Sequence, residues 1–473
     1  MKRSAEKSMS FAKSMIPIIY LALALIYTLR FLHGDPHIPI LTAAVVAAIV
    51  ATLSGYHWQE IQDGIVNTIK LSMSAILILM IIGMIIGTWI LAGIVPTMIY
   101  YGLKLISPSI FLVATAVICS IVSLATGSSW TTAGTVGIAL IGVGEGFGIP
   151  LPMVAGAIIS GAYFGDKMSP LSDTTNLASA MAGSKLFEHI RHMVYTTGPS
   201  LVIALILYGI LGLKYRQTEL DLEGIRTILN GITTQFNITP LLLLPPLLVI
   251  AMVILCIPAI PGLIGGTALG ALFAWIFQGS GLTEIVKAAH YGFVSGSGVE
   301  AVDSLLTRGG MDSMMWTVAL ILCAMSFAGV LEGTGMLREI ALKILSIAKS
   351  TGSLVTATIL TCVGTNIIAG DQYLSIVLPG RIYKKIYDER GLKPKNLSRV
   401  LEDGGTLTSS LIPWNSGGAF MWATLGVYPF AYAPFAFLNL INPLISILYG
   451  YTGWTMEKYS DEELKEIESK KRD

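Results

Sequence analysis

Long apolar runs recur along this chain and constrain its fold more than any other feature. Five of them occupy residues 14–29, 38–53, 75–95, 201–213 and 241–260. Most approach the roughly 20 residues that a membrane-spanning helix needs. Only 12% of the residues are charged, about half the share in an average soluble protein. The sequence therefore predicts an all-α polytopic membrane protein.

The N-terminal segment before the first run is basic, and no small-residue cleavage site follows that run. We therefore expect an uncleaved first helix with a cytoplasmic N-terminus. The net charge of +1 gives no indication of a nucleic-acid partner. Cysteines occur only within apolar runs, which predicts buried side chains rather than a disulfide or metal framework. They are Cys119, Cys256, Cys323 and Cys362.

The two halves of the chain align with each other when the sequence is shifted by 243 residues, without gaps over some 60 positions. This spacing indicates an internal repeat of two homologous halves. The aligned pairs include Thr115 with Thr358, Cys119 with Cys362, Gly127 with Gly370, Gly161 with Gly404, and Pro170 with Pro413.

The charge of two equivalent loops indicates how the halves are oriented. Residues 381–399 contain seven Lys or Arg side chains, whereas the equivalent residues 138–156 contain none. Because basic loops stay in the cytoplasm, the first of these loops is predicted to be cytoplasmic and the second external. Equivalent loops on opposite faces predict inverted repeats. Residues 214–226 fit less well, since they would be external and yet carry three basic residues.

Each half is predicted to contain about five membrane helices, one of them broken, and one re-entrant hairpin. The broken helices fall near residues 150–182 and 399–425, and the hairpins near 109–143 and 353–386. The predicted segments are a cytoplasmic N-terminus (1–14), repeat 1 (15–213), a connecting loop (214–238), repeat 2 (239–450) and a cytoplasmic C-terminal tail (451–473).

Polar segments interrupt both predicted broken helices at equivalent positions. They are "GDKMSPLSDTTNLA" (165–178) and "SSLIPWNSGGAF" (409–420). Proline removes a backbone donor, and non-helical backbone at membrane depth is tolerated only where it is buried in protein or lines a cavity. A simple proline kink or a cytosolic loop would explain one such segment, but the paired occurrence favours a cation site.

Hydroxyl, amide and carboxyl groups at the hairpin tips and helix breaks are candidate ligands. Such oxygens suit Na⁺ better than a transition metal. Serine and threonine that only pack between helices are the alternative. The first predicted site contains Thr126, Ser128, Ser129, Ser172, Asp173, Thr174 and Asn176, with Na⁺ held through Asp173, Ser172, Asn176 and Thr126; the second contains Asn366, Asp371, Asn415 and Ser416.

Carboxylates within the membrane mark an ion path, because an ionised side chain there is costly. Asp173 and Asp371 are the strongest candidates for exchanging Na⁺ with protons. Asp166 is a further candidate, with an ion pair to the neighbouring Lys167 as the alternative.

Three more acidic residues lie near the predicted spans. Glu332 is a candidate proton carrier, with snorkelling or pairing to Arg338 as the alternative. Glu402 and Asp403 are expected to be solvated near the cytoplasmic entrance.

Nucleotide and hydrolase motifs are missing from the sequence, which contains no Walker A loop, no H-E-x-x-H pair and no G-x-S-x-G elbow. An ion gradient must therefore supply the energy for transport. A passive channel and an intramembrane enzyme are the alternatives from other classes.

The segment "GDKMSPLSDTTNLA" resembles the diagnostic segment of the NhaC family of Na⁺/H⁺ antiporters. "TGSSWTTAGTVG" and "SSLIPWNSGGAFM" are similar to other recurrent segments of that family. The resemblance implies two hairpins paired with two broken helices, a homodimer and an elevator-type mechanism. It also leaves the substrate open, because the family includes malate/lactate exchangers and amino-acid carriers. The sequence thus predicts a Na⁺/H⁺ antiporter of the cytoplasmic membrane, without a cofactor, and a Na⁺-coupled organic-anion exchanger or amino-acid transporter as the alternative.

Overall fold

Helices form almost all of the secondary structure in this computed structural model. The structure describes residues 9–215, 222–255, 257–346 and 348–460. Within these ranges seven helices are long and apolar enough to span a membrane, or up to nine if each of two bent pairs counts as one span. The predicted all-α polytopic class is confirmed.

The first half of the chain forms ten α-helices, and a π-helical segment (Ala133–Gly137) joins two of them. The long third helix begins at Trp58, well before the apolar run at residues 75–95. A hydrogen bond from the backbone N–H of His57 to Glu60 Oε2 (2.7 Å) starts this helix in a polar segment. The helices are α1 (Phe11–Arg30), α2 (His37–Leu53), α3 (Trp58–Leu91), α4 (Ile94–Leu105), α5 (Pro108–Thr126), α6 (Ser129–Thr132), α7 (Ile138–Gly146), α8 (Leu151–Met168), α9 (Asp173–Ala182) and α10 (Leu186–Leu213).

The predicted connecting loop, residues 214–238, contains a helix, α11 (Leu222–Gln235). One face of α11 is apolar, and Ile228 and Ile232 on it are buried. A polar helix with one apolar stripe is stable when that stripe packs on the protein, although its mean hydropathy is low.

The second half forms thirteen α-helices and contains a second π-helical segment (Glu402–Thr406). Short 3₁₀ helices occupy Pro240–Leu243, Asp312–Met314 and Ala433–Phe435. The helices are α12 (Leu244–Ile254), α13 (Ala259–Gln278), α14 (Leu282–Tyr291), α15 (Glu300–Leu306), α16 (Met315–Gly333), α17 (Met336–Leu345), α18 (Thr351–Ala369), α19 (Leu374–Glu389), α20 (Pro394–Leu401), α21 (Leu407–Ser409), α22 (Ser416–Leu425), α23 (Pro429–Tyr432) and α24 (Phe437–Thr452).

Equivalent helices of the two halves begin and end 243 residues apart around the predicted tips and breaks. Helices α5 and α18 both have 19 residues, and α9 and α22 both have 10. Both α5 and α18 end at a left-handed glycine, Gly127 (φ 67°) and Gly370 (φ 63°). Glycine adopts this conformation at little cost and so stops a helix. The opposite orientation of the halves stays a prediction.

Glycines let α3 approach the second half closely. A Cβ atom on Gly64 would lie 2.5 Å from the carbonyl oxygen of Gly329 and 3.2 Å from the Cα of Gly333, so α3 and α16 touch backbone to backbone. At its other end α3 meets a loop, because Gly310 N donates to Gly83 O (2.7 Å). Helix α3 thus ties the two halves together.

Each hairpin arm packs against the broken helix of its own half, again at equivalent glycines. Gly161 of α8 lies against Ala116 and Cys119 of α5, and Gly404 lies against Ile359 and Cys362 of α18. This close packing places both hairpin tips beside the helix breaks.

Some predicted features lie outside the described residues. These are Cys256, residues 1–8 of the N-terminus and residues 461–473 of the tail. Among the other cysteines, Cys119 and Cys362 are buried and Cys323 is half-buried.

Candidate cation-binding site

The first hairpin tip contacts the first helix break directly. Gly127 lies so close to the break that an added Cβ atom would be 2.6 Å from Leu171 Cβ and 3.0 Å from Ser172 N. The first tip therefore meets the break of its own half.

The carboxylate of Asp166 lies at the centre of this contact and is only 6% exposed. Its Oδ2 atom accepts hydrogen bonds from the hydroxyl (2.6 Å) and backbone N–H (3.2 Å) of Ser129, at the tip. Its Oδ1 atom accepts from the hydroxyl of Ser172 (2.6 Å), in the break. Charge-assisted bonds of this length are strong, so Asp166 holds the tip and the break together.

The predicted alternative of an Asp166–Lys167 ion pair is wrong. The Lys167 ammonium instead pairs with the carboxylate of Asp403 and donates to Asn442 Oδ1 (3.2 Å). The expectation that Glu402 and Asp403 are solvated is also wrong, since both are 0% exposed. The reason is that α20 continues as a π-helix into the protein interior instead of ending in a loop.

Asp173 is the first residue of α9 and faces a cavity of about 620 Å³. A carboxylate at a helix N-terminus is favoured by the helix dipole. Unlike Asp166, Asp173 is exposed. The cavity wall contains both aspartates and the hydroxyl-bearing residues Thr126, Ser128 and Thr174. The first centre is therefore open to a space in which an ion can be held.

Several predicted ligands already have partners within the first centre. Ser128 and Ser172 cap the helices that follow them by accepting backbone N–H groups of Thr131 (3.1 Å) and Thr175 (3.4 Å). Ser172 Oγ also lies 3.1 Å from Thr174 Oγ1. The hydroxyl of Thr126, in contrast, makes only 3.5 Å contacts. These contacts are at the weak limit of hydrogen bonding, which leaves Thr126 free to bind a ligand.

Asn176 holds the backbone of the break. Its amide nitrogen donates to the carbonyl oxygens of Pro170 (2.9 Å) and Ser172 (2.8 Å). The carbonyl of Pro170 lies in the non-helical segment between α8 and α9, so the side chain of Asn176 satisfies a backbone group that the break exposes.

The second tip also meets its own break, through amide side chains. Asn415 Nδ2 donates to Asn366 Oδ1 (2.9 Å), and Ser416 N donates to the carbonyl of Gly370 (2.8 Å). Asn366 Nδ2 in turn donates to the carbonyl of Gly405 (2.7 Å). Asn366 and Asn415 are both 0% exposed, so this centre is closed.

Asp371 is buried at the second tip (1% exposed) and connects it to α3. Its Oδ1 atom accepts from the backbone N–H of Leu374 (2.9 Å) at the start of α19. Its Oδ2 atom accepts from the hydroxyls of Ser72 (2.9 Å) and, more weakly, Ser416 (3.5 Å). Ser72 was not predicted, because nothing in its apolar run shows that α3 passes this tip.

Glu332, near the end of α16, is half-buried and accepts a hydrogen bond from Thr68 Oγ1 of α3 (3.4 Å). It lies apart from the first centre and does not line its cavity. The structure thus gathers the first set of predicted ligands and leaves Glu332 separate.

The second tip also forms part of the wall of the first cavity, through Gln372 and Tyr373. Trp130 of the first hairpin lines the same cavity and stacks on Phe420 of α22 (ring centroids 4.1 Å apart). Sequence reasoning placed each tip only with its own half and so missed these residues. The aromatic rings next to the polar tips were the only available signal.

Comparison with known proteins gives close relatives. A profile of the Na⁺/H⁺ antiporter family matches residues 161–454. The Na⁺/H⁺ antiporter NhaC of Alkalihalophilus pseudofirmus is 40% identical, over 91% of this chain and 93% of its own length. The malate-2H⁺/Na⁺-lactate antiporter of Bacillus subtilis is 41% identical over 92% and 93%. The arginine/ornithine antiporter ArcD of Halobacterium salinarum is 38% identical over 98% and 96%.

These relatives are antiporters and not enzymes, which agrees with the predicted class and disfavours the intramembrane enzyme. The resemblance on which the sequence prediction depended is confirmed along nearly the whole chain. With its helical membrane fold and its matched segments, this chain belongs to the Na⁺/H⁺ antiporter family.

Proposed function

We propose that this protein exchanges Na⁺ for H⁺ across the cytoplasmic membrane. The observation that carries the proposal is the buried carboxylate of Asp166, which lies between a hairpin tip and a helix break and beside a cavity that also contains Asp173. A charge buried in a membrane protein is costly and marks an ion path. Family membership supports the same conclusion.

Na⁺ is proposed to bind in the first centre, between Asp173 and the oxygens of Thr126, Ser172 and Asn176. Thr126 supports this assignment because its hydroxyl lacks a short hydrogen bond. Asp166 supplies a second negative charge, and Ser128, Ser129 and Thr174 hold the ligands in place.

Exchange follows from competition for negative charge. A bound cation stabilises an ionised carboxylate, and a proton removes the charge that holds the cation. Asp173 and Asp166 are therefore the first proton-coupling candidates. Asp371 and Glu332 are further proton-coupling candidates. A second cation site is proposed at Asn366, Asp371, Asn415 and Ser416, and a cation could bind there only after the hydrogen bonds among these residues break.

An elevator-type movement, a homodimer and cytoplasmic termini complete the proposal. The close packing of each hairpin against its broken helix supports a transport region that moves as one body. The tight contact of α3 with α16 supports a separate scaffold. The basic residues between 381 and 399 support a cytoplasmic position for that loop.

The test is proton flux into proteoliposomes that contain the purified protein and an imposed Na⁺ gradient. We expect Na⁺-driven proton movement by the native protein and its loss in Asp173→Asn, which removes the charge and keeps the shape. Glu188→Gln, an exposed change at the start of α10, is the matched control. Full activity of Asp173→Asn, measured with intact folding, would contradict the proposed site. Single-channel conductance without coupling would instead indicate a channel.

A second candidate is exchange of an organic anion or amino acid coupled to Na⁺. The cavity of about 620 Å³ favours it, since this space is far larger than a bare Na⁺ requires and has aromatic walls at Trp130 and Tyr373. The measurement is flux in the same vesicles with and without malate, lactate, arginine or ornithine. Proton movement with Na⁺ alone supports the first candidate, and strict dependence on an organic solute supports the second.

A further inference from the structure

Glu402 is a buried acid that the proposed Na⁺ site does not use. It begins the π-helical segment Glu402–Thr406 and is 0% exposed. Thr174 and Thr406 lie near its carboxyl group, but within the described residues neither carboxyl oxygen has a hydrogen bond of normal geometry. A carboxylate without such partners is expensive in the interior, whereas a protonated carboxyl is much less so.

The cations near Glu402 are already engaged by another acid. Lys167 pairs with Asp403, and Arg399 Nε lies 4.0 Å from the same carboxylate. The hydroxyl of Thr196 also donates to Asp403 (3.2 Å). Lys167 therefore acts on Glu402 only through space.

Counting the buried charges on α8, α20 and the π-helical segment shows one acid in excess. The group contains three acids, Asp166, Glu402 and Asp403, and two bases, Lys167 and Arg399. Asp173 is left out because it is exposed to the cavity. The group is neutral when one acid carries a proton, and equally neutral when all three are ionised and one Na⁺ is bound. One proton and one Na⁺ are thus interchangeable in this charge balance.

Other titratable groups on the elements that pack around the π-helical segment do not alter this count. A buried imidazole without hydrogen-bond partners and beside Lys167, like a buried thiol or phenol, is counted as neutral because a charge there would be unpaired. These groups are His189 on α10, Cys362 on α18, and Tyr383 and Tyr387 on α19. His192, also on α10, contacts the carbonyl oxygens of Lys395 and Thr455, and its Nε2 atom lies 3.4 Å from the guanidinium of Arg399. It is counted as neutral because Arg399 would repel a positive charge there.

The π-helical segment also connects Glu402 to the second hairpin tip. The carbonyl of Gly405 accepts from Asn366 (2.7 Å), which in turn accepts from Asn415 (2.9 Å). π-Helical turns are rare and often occur at functional sites. A change of charge at Glu402 therefore acts on a π-helical segment whose backbone is hydrogen-bonded to the second tip.

We propose that Glu402 carries the exchanged proton while Asp166 faces the exchanged Na⁺. The proton stays on the Glu402 carboxyl while the cation site is empty. Na⁺ binding next to Asp166 favours the ionised form of Glu402, which releases one proton to water, and the reverse sequence releases Na⁺. This inference rests on the proposed Na⁺/H⁺ exchange, and it assigns the proton to a group that the cation does not touch.

The experiment compares two fluxes of Glu402→Gln in proteoliposomes. The amide keeps the shape of the side chain and remains neutral, as the protonated acid is. We expect Na⁺-driven proton flux to fall to the level of protein-free vesicles. Exchange of ²²Na⁺ for unlabelled Na⁺ should be weakened and should lose its dependence on pH, because Na⁺ must then bind without the second ionised acid. Glu188→Gln is the control for an exposed carboxyl.

Three results would contradict the proposal or its premise, and they can be told apart. Native-like, pH-dependent proton flux in Glu402→Gln would overturn the role of Glu402 alone. Absence of Na⁺-driven proton flux in the native protein would overturn the proposed function itself. If Glu402→Gln does not fold, Glu402→Asp is used instead, because it keeps an ionisable group in a changed position. We expect the pH midpoint of its Na⁺-driven proton flux to shift. An unshifted midpoint would also overturn the role of Glu402.

Discussion

The two tip–break centres have helix ends at equivalent positions and different side-chain arrangements. In the first centre an acid, Asp166, joins the tip to the break and faces a cavity. In the second, two amides, Asn366 and Asn415, join them, and the predicted ligands Asp371 and Ser416 are buried as well. The duplicated chain thus supplies the same helix ends twice, and the side chains decide which centre is open to an ion.

The two centres also differ in the elements to which their aspartates are hydrogen-bonded. Asp371 of the second tip is tied to α3 through Ser72, whereas Asp166 binds only residues of its own half. A centre whose polar groups are already satisfied by the protein gains little from an ion. We therefore infer that the first centre binds the ion and that the second stabilises the structure in this conformation.

The largest expected effect comes from exchanging acid for amide in the two centres. Asp166→Asn should abolish Na⁺-driven proton flux and ²²Na⁺ exchange, because the charge that faces the cavity is removed. Asp371→Asn should keep measurable transport and lower the thermal unfolding temperature in detergent. The reverse result, with transport abolished only in Asp371→Asn, would show that the second centre holds the ion.

Glycine substitution at the first tip should have the next largest effect. Gly127→Ala introduces a Cβ atom 2.6 Å from Leu171 Cβ, in a conformation that costs an L-residue roughly 1–2 kcal/mol. Gly148→Ala is the matched control, because Gly148 has a similar φ of 66° and nothing within 4 Å of the added atom. Both variants should be less stable by this strain energy, which thermal unfolding measures. Only Gly127→Ala should also lose transport. Equal behaviour would mean that contact between tip and break is unimportant.

Alanine at the equivalent positions Ser172 and Asn415 should separate binding from stability. Asn415→Ala leaves buried groups of Asn366 unpaired and should cost about 1–3 kcal/mol of unfolding free energy. Ser172→Ala should mainly weaken Na⁺ binding and so raise the Na⁺ concentration for half-maximal flux. The reason is that it removes a proposed ligand, whose hydroxyl also holds Asp166 in place. The comparison fails if Ser172→Ala destabilises the protein more than Asn415→Ala while its Na⁺ dependence is unchanged.

The smallest expected effect is at Asn176, whose exposed side chain caps the first break. Asn176→Ala removes two hydrogen bonds to backbone carbonyls that water can replace, so we expect a loss near the usual net value of about 0.5–1.5 kcal/mol. Thermal unfolding measures this, and Na⁺ titration of the flux shows whether Asn176 is also a ligand. A large rise in the half-maximal Na⁺ concentration would show that Asn176 is a Na⁺ ligand. No change would show that it only holds the backbone of the break.

Much of the fold could be predicted because apolar length, proline and glycine act locally. The left-handed Gly127 and Gly370, and the breaks after Pro170 and Pro413, lie where the repeat predicts them. Helix α11 was not predicted, because it depends on an apolar stripe within a segment of low mean hydropathy. The early start of α3 was not predicted, because it depends on polar residues that hydropathy does not register.

For the candidate site, the sequence predicted which residues lie together better than it predicted the contacts that they make. Of the predicted ligands, Thr126, Ser128, Asp173 and Thr174 line one cavity together. The partner of Lys167 was not, because Asp403 lies 236 residues away along the chain. An ion pair between distant segments depends on packing, which leaves no local pattern.

The sequence by itself therefore determined the membrane class, the repeat, the family and the positions of the tips and breaks, since each follows from residues close together or evenly spaced. Only the tertiary structure decided which acids are buried, that both tips line one cavity, and that Glu402 is enclosed beside Lys167 and Asp403. The physical reason is that the cost of a charge depends on the atoms around it, and in this chain those atoms come from both halves.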